Sequence, residues 1–169
     1  MTLKVKHILL RSILGILLAF FLTPFMMKSA FSDGHWFGVN GLGLSIGAKS
    51  PITTQYTFTD PRTGEARKIT LGDAQPEPFA AIAVVAALLA LIFTFLKGAT
   101  GWVSPCLGSA VCAASFLLLK ITVDQDILKN GFGVVAVRWE WGFWSAFSVA
   151  VAAAVVSCVP TKRDSVPSE

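Results

Sequence analysis

The stretch that decides the fold is WGFWSAFSVAVAAAVVSCV, residues 141–159, which contains no Asp, Glu, Lys, Arg or His. A helix rises 1.5 Å per residue, so about 20 apolar residues cross a hydrocarbon core of about 30 Å. Small residues recur in this stretch at every fourth position, at Gly142, Ala146, Ala150 and Ala154. Such spacing places them on one helix face, where another helix can approach closely. We predict a membrane-spanning helix that packs through this stripe.

Three further apolar stretches of similar length precede this one in the chain. The chain as a whole is 54% hydrophobic and only 14% charged, which is outside the usual composition of water-soluble domains. The pattern predicts an all-α membrane protein, a four-transmembrane-helix bundle that forms a single integral membrane domain over residues 1–169. Its four spans are predicted at residues 8–27, 79–96, 103–123 and 141–159.

A cleaved secretory signal is the alternative interpretation of the first apolar stretch, because basic residues precede it. Cleavage after Ala30 would place Lys28 three residues before the cut, where a small side chain is needed. The apolar run also continues to Met27 and is longer than the apolar core of a typical signal. These features favour a retained anchor.

The distribution of Lys and Arg orients the predicted spans. Residues 1–11, 97–102 and 160–169 are short and are richer in Lys and Arg, per residue, than the two loops at 29–75 and 124–140. Short segments that flank the spans dominate the positive-inside signal. We therefore predict that both termini are cytoplasmic, in a plasma or bacterial inner membrane, and that the two longer loops lie outside.

The first outer loop, residues 29–75, has the patterns of a small antiparallel β-sheet. Residues 42–46 and 53–59 alternate in polarity, and the run at 66–71 follows a short loop that contains Pro and Gly. These patterns predict a hairpin and at least three short strands above the outer ends of the helices. In the second outer loop, residues 133–141 are interpreted either as a further strand or as an extension of the fourth helix.

The order of these segments resembles the claudin-type four-helix architecture. Trp36-Phe37-Gly38-Val39 with Leu42 is similar to the Trp and Gly-Leu-Trp elements of that family's first loop, and residues 131–144 are similar to its Gly- and aromatic-rich start of helix four. The resemblance implies a four-helix bundle with a β-rich first loop. The family's cysteine pair in that loop is absent, since Cys106 is the first cysteine. The layout also resembles that of poorly characterised bacterial four-span membrane proteins.

The three cysteines, Cys106, Cys112 and Cys158, lie in the predicted spans or near their inner ends. The outer loops therefore offer no disulfide framework, and a four-helix disulfide-generating quinone oxidoreductase, which needs outward-facing cysteine pairs, is excluded. We interpret all three as small apolar packing residues. Attachment of a lipid to Cys106 or Cys158 is the alternative.

Catalytic and metal-binding patterns are weak throughout the chain, so neither a catalytic residue, a metal nor a cofactor is expected. Asp33 and His35 are too few ligands for a closed metal site. Spans two to four contain no deep ionisable residue of the kind that coupled transporters use, and Arg11 of the first span can extend to the inner interface. Four charged residues near the outer ends of the spans are expected to form an interfacial ion-pair and capping set, in which the two glutamates lie at helix N-termini: Glu77, Lys120, Arg138 and Glu140.

The basic balance of the chain, with a pI near 9.2, comes from Lys and Arg that flank the spans and suit anionic lipid headgroups, so no nucleic acid partner is expected. We predict a non-catalytic accessory or scaffold protein of the lipid bilayer, which binds other membrane protein subunits or forms a homo-oligomer. The predicted partner-binding residues are Trp36, Phe37, Val39, Tyr56, Phe58, Arg138 and Glu140.

Two alternatives remain open. One is a small membrane enzyme, or a protein that binds a lipid or small molecule, with a pocket under the outer loop formed by Glu77, Glu140, Arg138 or His35. The other is a pore built by self-association. Alanine substitution of the four pocket residues separates a scaffold from an enzyme, because only the enzyme would lose its activity.

Overall fold

The computed structural model describes residues 3–30, 36–47, 54–59, 63–71, 75–96, 100–130 and 135–159. The structure is mostly helical and carries a small antiparallel sheet, which confirms this part of the prediction. The elements follow one another as α1 (Leu3–Phe20), β1 (Pro24–Ala30), β2 (Trp36–Asn40), α2 (Gly41–Ile46), β3 (Thr54–Thr59), β4 (Ala66–Leu71), α3 (Pro78–Phe93), α4 (Thr100–Asn130), β5 (Val135–Trp139) and α5 (Trp141–Cys158).

The main sheet has three antiparallel strands in the order β2–β1–β5. Met27 of the central strand lies opposite Gly38 of β2 on one side and Arg138 of β5 on the other. β3 and β4 form a separate antiparallel hairpin, in which Tyr56 lies opposite Ile69. The predicted hairpin is confirmed. Residues 133–141 were interpreted either as a strand or as an extension of the fourth helix, and β5 shows that the strand is correct.

The first helix ends earlier than predicted. α1 ends at Phe20, and residues 24–27, which the apolar pattern places in the first span, begin the central strand. The Thr23 hydroxyl donates to the Phe20 carbonyl at 2.6 Å in the turn after the helix. Pro24 has no N–H and cannot continue a helical hydrogen-bond pattern. The prediction was wrong here because an apolar run without polar alternation suits a buried strand as well as a helix.

Residues 42–46, predicted as part of the sheet, form the short helix α2 instead. Asn40 is its N-cap, and its side-chain oxygen accepts a hydrogen bond from the Gly43 N–H at 2.6 Å. Gly41 lies directly against the ring of Phe25, since an added Cβ would be 2.6 Å from Phe25 Cζ. The local cap and this close contact determine the conformation, and the alternation of polarity does not.

The helix α4 continues to Asn130, well beyond the predicted end at residue 123. Its polar last turns are supported by an ion pair between Lys120 and Asp124, one helical turn apart. Asp124 also accepts a hydrogen bond from the Trp139 indole N–H at 2.9 Å. The predicted outer loop at 124–140 therefore contains the end of α4 as well as β5.

The four long helices pack in the cyclic order α1–α3–α4–α5, since α1 and α4 each contact both α3 and α5. We define the sheet end of this bundle as the end next to the three-stranded sheet, and the far end as the opposite one. Aromatic rings fill the core at the sheet end, with neighbouring ring centroids 5.4 to 6.0 Å apart: Phe21, Phe25, Phe116 and Phe143.

Two cations of α1 bind the C-terminal carbonyls of neighbouring helices at the far end. Lys6 Nζ donates to the carbonyls of Ser157 and Val159 at 2.8 and 2.6 Å, where α5 ends. The Arg11 guanidinium donates to the Thr94 carbonyl at 2.8 Å, just after α3. The last carbonyls of a helix lack partners within the helix and carry partial negative charge, so both contacts are favourable.

Two helical segments of the described chain, Pro105–Lys129 and Trp141–Cys158, are long and apolar enough to cross a membrane, whereas four spans were predicted. The other two long helices differ in identifiable ways. The α3 helix is apolar but has 16 residues, and α1 carries three basic residues within its 18. Length and composition therefore distinguish α4 and α5 from the remaining pair.

Candidate functional site

Backbone hydrogen bonds fix the N-termini of α3 and α5 at the sheet end. The Glu77 N–H donates to the Leu44 carbonyl at 2.7 Å, and the Glu140 N–H donates to the Phe25 carbonyl at 2.8 Å. Each of these glutamates is the N-cap residue of its helix, but neither side chain makes a capping hydrogen bond. Both carboxylates are therefore available to interact with other charged groups at this end of the molecule.

Glu77 lies near Lys28 of the central strand, and Asp126 of α4 interacts electrostatically with both. Burial lowers the pKa of the Lys28 ammonium, and Glu77 and Asp126 act in the opposite direction. Burial also raises the pKa of the Glu77 carboxyl, against the attraction of Lys28. In both groups the effect of burial on the pKa exceeds the attraction of the opposite charge.

A second charged cluster joins α4 to β5. Asp124 pairs with Lys120 and accepts the hydrogen bond of Trp139, as described above. The Lys120 ammonium also lies 5.8 Å from the centroid of the Trp139 ring, within the range of a cation–π contact. The three residues of this cluster bind one another, and their contacts stabilise the position of the edge strand β5.

Arg138 and Glu140 form the third group. Arg138 Nε is 3.4 Å from a Glu140 carboxylate oxygen, with the Arg138 side chain 73% exposed and the Glu140 side chain 15% exposed. The four charged residues predicted to act together therefore lie in three places: Glu77 with Lys28, Lys120 with Asp124, and Arg138 with Glu140. Lys28, Asp124 and Asp126 were not singled out by the sequence reasoning, although Lys28 directly follows an apolar run.

The predicted partner-binding residues differ in exposure. Trp36 is 48% exposed on the edge strand β2 and Phe37 is half-buried, whereas Val39 is 8% exposed and belongs to the core. Val39 therefore offers little surface to a partner, because side chains alternate between the two faces of a strand. Tyr56 and Phe58 are on β3, and their side chains are outside the described part of the structure, as is all of His35.

The small-residue stripe of α5 faces the interior over most of its length. Gly142, Ala146 and Ala150 are buried, whereas Ala154 is half-buried and Ala153 takes the buried position. An i to i+4 step advances 400° around a helix with 3.6 residues per turn, so a strict four-residue stripe drifts by about 40° at each step. The packing face consequently shifts by one residue towards the far end.

An apolar groove lies on the outer face of α3 and α4 and has a volume of about 370 Å³. Its two alanines are less exposed than its larger aliphatic residues, which are 45–54% exposed. The lining residues are Ala81, Ile82, Val85, Ala86, Leu89 and Val111. The lining offers shape and apolar contact but no group that could act as an acid, a base or a nucleophile.

Among the described residues, no group of three or more His, Cys, Asp or Glu side chains is placed to hold a metal ion. The chain matches no protein-family model, no curated protein and no solved structure. The claudin-type resemblance therefore stays a prediction.

Proposed function

We propose that this chain is an integral membrane protein whose helices α1, α3, α4 and α5 cross the bilayer as a four-helix bundle, and that it acts without catalysis as an accessory or scaffold subunit. The observation that carries the proposal is the distribution of side-chain size on α3 and α5. The residues that these two helices turn inward are mostly small, and their large aliphatic residues point outward.

The inner surfaces of α3 and α5 consist largely of alanine, and Gly108 of α4 approaches α3 so closely that an added Cβ would be 2.8 Å from Ala90 Cβ. In lipid, burying one aliphatic side chain against another gains little over lipid contact, so helices associate through small residues. The outward-facing residues are 45–59% exposed, which suits contact with acyl chains and not with water: Ile82, Leu89, Leu117, Ile121 and Val155.

The lengths and cation positions of α1 and α3 are compatible with this arrangement. At 1.5 Å per residue, 16 to 18 residues extend about 24–27 Å, slightly less than a hydrocarbon core of about 30 Å. The turn after α3 contributes further apolar residues, and local thinning of the bilayer accommodates the rest. Lys6 and Arg11 are neutralised in part by helix C-terminal carbonyls near the far end.

The proposed orientation has both termini in the cytoplasm and residues 29–75 and 124–140 outside, so the sheet end faces outward. Tryptophan side chains mark that end at Trp36, Trp139 and Trp141. Indole rings favour the headgroup level of a bilayer, where an apolar ring and a polar N–H are both accommodated.

The proposed docking surface is the apolar groove between α3 and α4, and its occupant is a transmembrane helix of a partner membrane protein. Ala81 and Ala86 have small side chains, so a partner helix in the groove can approach the backbone of α3 closely. The outer edge of β2, which pairs with β1 alone among the described strands, carries the exposed Trp36 and provides a second contact outside the bilayer, since edge strands pair readily with other chains.

Purification from the native membrane in a mild detergent, followed by native mass spectrometry, tests this function. Ala81→Leu fills the groove, and Ala152→Leu makes the same change at an exposed position on α5, away from the groove. We expect a membrane protein subunit at fixed stoichiometry with the wild type and with Ala152→Leu, and a loss of most of that subunit with Ala81→Leu. A bare monomer, or equal losses from the two variants, contradicts the proposal.

A lipid-binding protein is the second candidate, because the same groove has the apolar lining that suits an acyl chain. In that case the wild-type chain carries a lipid without a protein subunit, and Ala81→Leu releases the lipid. Self-association gives a defined homo-oligomer instead. The mass spectrum distinguishes these three outcomes directly.

A further inference from the structure

Two cysteines from distant parts of the chain meet at the far end of the bundle. The sulfur atoms of Cys106, near the start of α4, and Cys158, at the end of α5, are 2.9 Å apart, and both residues are free thiols. The sequence alone indicated separate packing residues at these two positions. Their shared position at the inner ends of neighbouring spans was the signal that could have indicated a pair.

The three cysteines differ in exposure in a way that separates this pair from the core. Cys158 is exposed and Cys106 is intermediate, whereas Cys112 is fully buried within α4. A small reagent can therefore reach Cys158 in the folded protein, but it cannot reach Cys112. Reactive cysteines are characteristically accessible, and buried cysteines are inert.

A cation is held beside the pair by the backbone of the same helix end. Lys6 Nζ binds the carbonyls of Ser157 and Val159, the residues on either side of Cys158. It also interacts electrostatically with the sulfur atoms of both cysteines. A cation favours the thiolate, which is the nucleophilic form of cysteine. At Cys106 this attraction acts against burial and against the contact with the Cys158 sulfur, which both favour the thiol.

We propose that Cys106 and Cys158 form a thiol–disulfide exchange site whose substrate is a low-molecular-weight disulfide. The Cys158 thiolate attacks one sulfur of the small disulfide, forms a mixed disulfide and releases one small thiolate. The Cys106 thiolate then attacks the Cys158 sulfur and releases the second small thiolate. The protein loses two electrons and two protons in total, and the small disulfide gains them as two thiols.

The resulting disulfide joins the first turns of α4 to the last turn of α5, and Lys6 attaches α1 to the same point. Reduction by an excess of the small thiol reverses both steps. In the predicted orientation this site faces the cytoplasm, where glutathione keeps thiols reduced and disulfides are transient. The dithiol is then the resting form, and the disulfide forms only under oxidising conditions.

The full-length protein in detergent micelles is equilibrated with mixtures of oxidised and reduced glutathione, quenched in acid, unfolded, alkylated and examined by peptide mass spectrometry. We expect a linked Cys106–Cys158 peptide that increases with the oxidised fraction and disappears after return to reduced glutathione. Cys112 serves as the internal control and is alkylated as a free thiol at every ratio. This result does not depend on whether a partner protein is found.

Three variants test the roles of the individual residues. Cys106→Ser should retain a stable mixed disulfide with glutathione on Cys158, because the resolving thiol is missing. Cys158→Ser should react slowly and form no link, and Lys6→Gln should form the link several-fold more slowly. The proposal is overturned if both thiols are alkylated at every ratio, if the link involves Cys112, or if the wild type stops at the mixed disulfide.

Discussion

At the level of single residues, Gly142 illustrates how tightly the helices and the sheet are joined. A Cβ atom at this position would lie 2.3 Å from Thr23 Oγ1 and 2.4 Å from the Pro24 carbonyl oxygen. The Pro24 carbonyl belongs to the backbone of the central strand and cannot move aside cheaply. Gly15 lies on an exposed part of α1. Apart from its two chain neighbours and the nearby backbone of α1 itself, no heavy atom would lie within 4 Å of an added Cβ there.

These two glycines give a matched pair of substitutions. Gly142→Ala should lower the free energy of unfolding by about 1–3 kcal/mol, the usual cost of overpacking. Gly15→Ala should raise it by up to about 1 kcal/mol, because alanine favours a helix more than glycine does. Thermal unfolding in one detergent, followed by tryptophan fluorescence, measures both. Shifts of the same sign and size would contradict the contact at Gly142.

Glu77 gives a prediction about pH. Burial raises its pKa above the ordinary value of 4.5, so the folded chain binds this proton more tightly than the unfolded chain does. The contribution of Glu77 to stability is therefore most favourable below pH 4.5, and it declines as the pH rises through 4.5 towards the raised value. Above that value Glu77 is charged in both states, and the cost of partly burying the carboxylate is present.

Glu77→Gln should remove this decline, so the variant should gain stability relative to the wild type as the pH rises. Glu65→Gln, in the exposed turn of the hairpin, is the control and should keep the wild-type profile. The measurement is the thermal midpoint between about pH 4 and pH 8, the range in which carboxyl groups with raised pKa values titrate. A parallel pH profile for Glu77→Gln and the wild type would show that Glu77 does not cause the decline.

At the level of the elements, the sequence was sufficient where the structure is local. The predicted fourth span, 141–159, agrees closely with α5 (Trp141–Cys158), and the hairpin of β3 and β4 agrees with the predicted runs. A continuous apolar stretch determines α5, and a turn of a few residues between two neighbouring runs determines the hairpin. The N-cap Asn40 was an available local signal for α2 that the alternation of the following residues concealed.

The remaining elements depend on partners that are distant in the chain. The central strand β1 is flanked by β5, whose residues are more than 100 positions away, and the two pair from Met26 with Trp139 to Ala30 with Val135. A single sequence carries no mark of that pairing. The candidate sites share this difficulty, since Lys28 meets Glu77 and Cys106 meets Cys158 only after the bundle has formed.

For the whole molecule, the proposed membrane topology requires the chain to cross the bilayer four times. Within the described residues, α4 and α5 meet the requirement of length and composition, and α1 and α3 are the helices that need a direct test. At the sheet end, exposed positions lie in the hairpin turn and near the end of α4. At the far end, they lie in the first turn of α1 and just after α3. Reporter groups at these positions determine on which side of the membrane each end lies.

Single cysteines introduced into a chain with all three native cysteines replaced by serine provide these reporters: Val5→Cys, Thr63→Cys, Leu96→Cys and Gln125→Cys. A membrane-impermeant maleimide should label Thr63→Cys and Gln125→Cys on intact cells, and the other two only after permeabilisation. Labelling in detergent controls for expression and for reactivity.

If Val5→Cys and Thr63→Cys label on the same side, α1 does not cross the membrane. If Thr63→Cys and Leu96→Cys do so, α3 does not cross. In either case the sheet would be attached to fewer spans, and the outward-facing aliphatic side chains of that helix would need a protein partner to cover them, because lipid would no longer surround them.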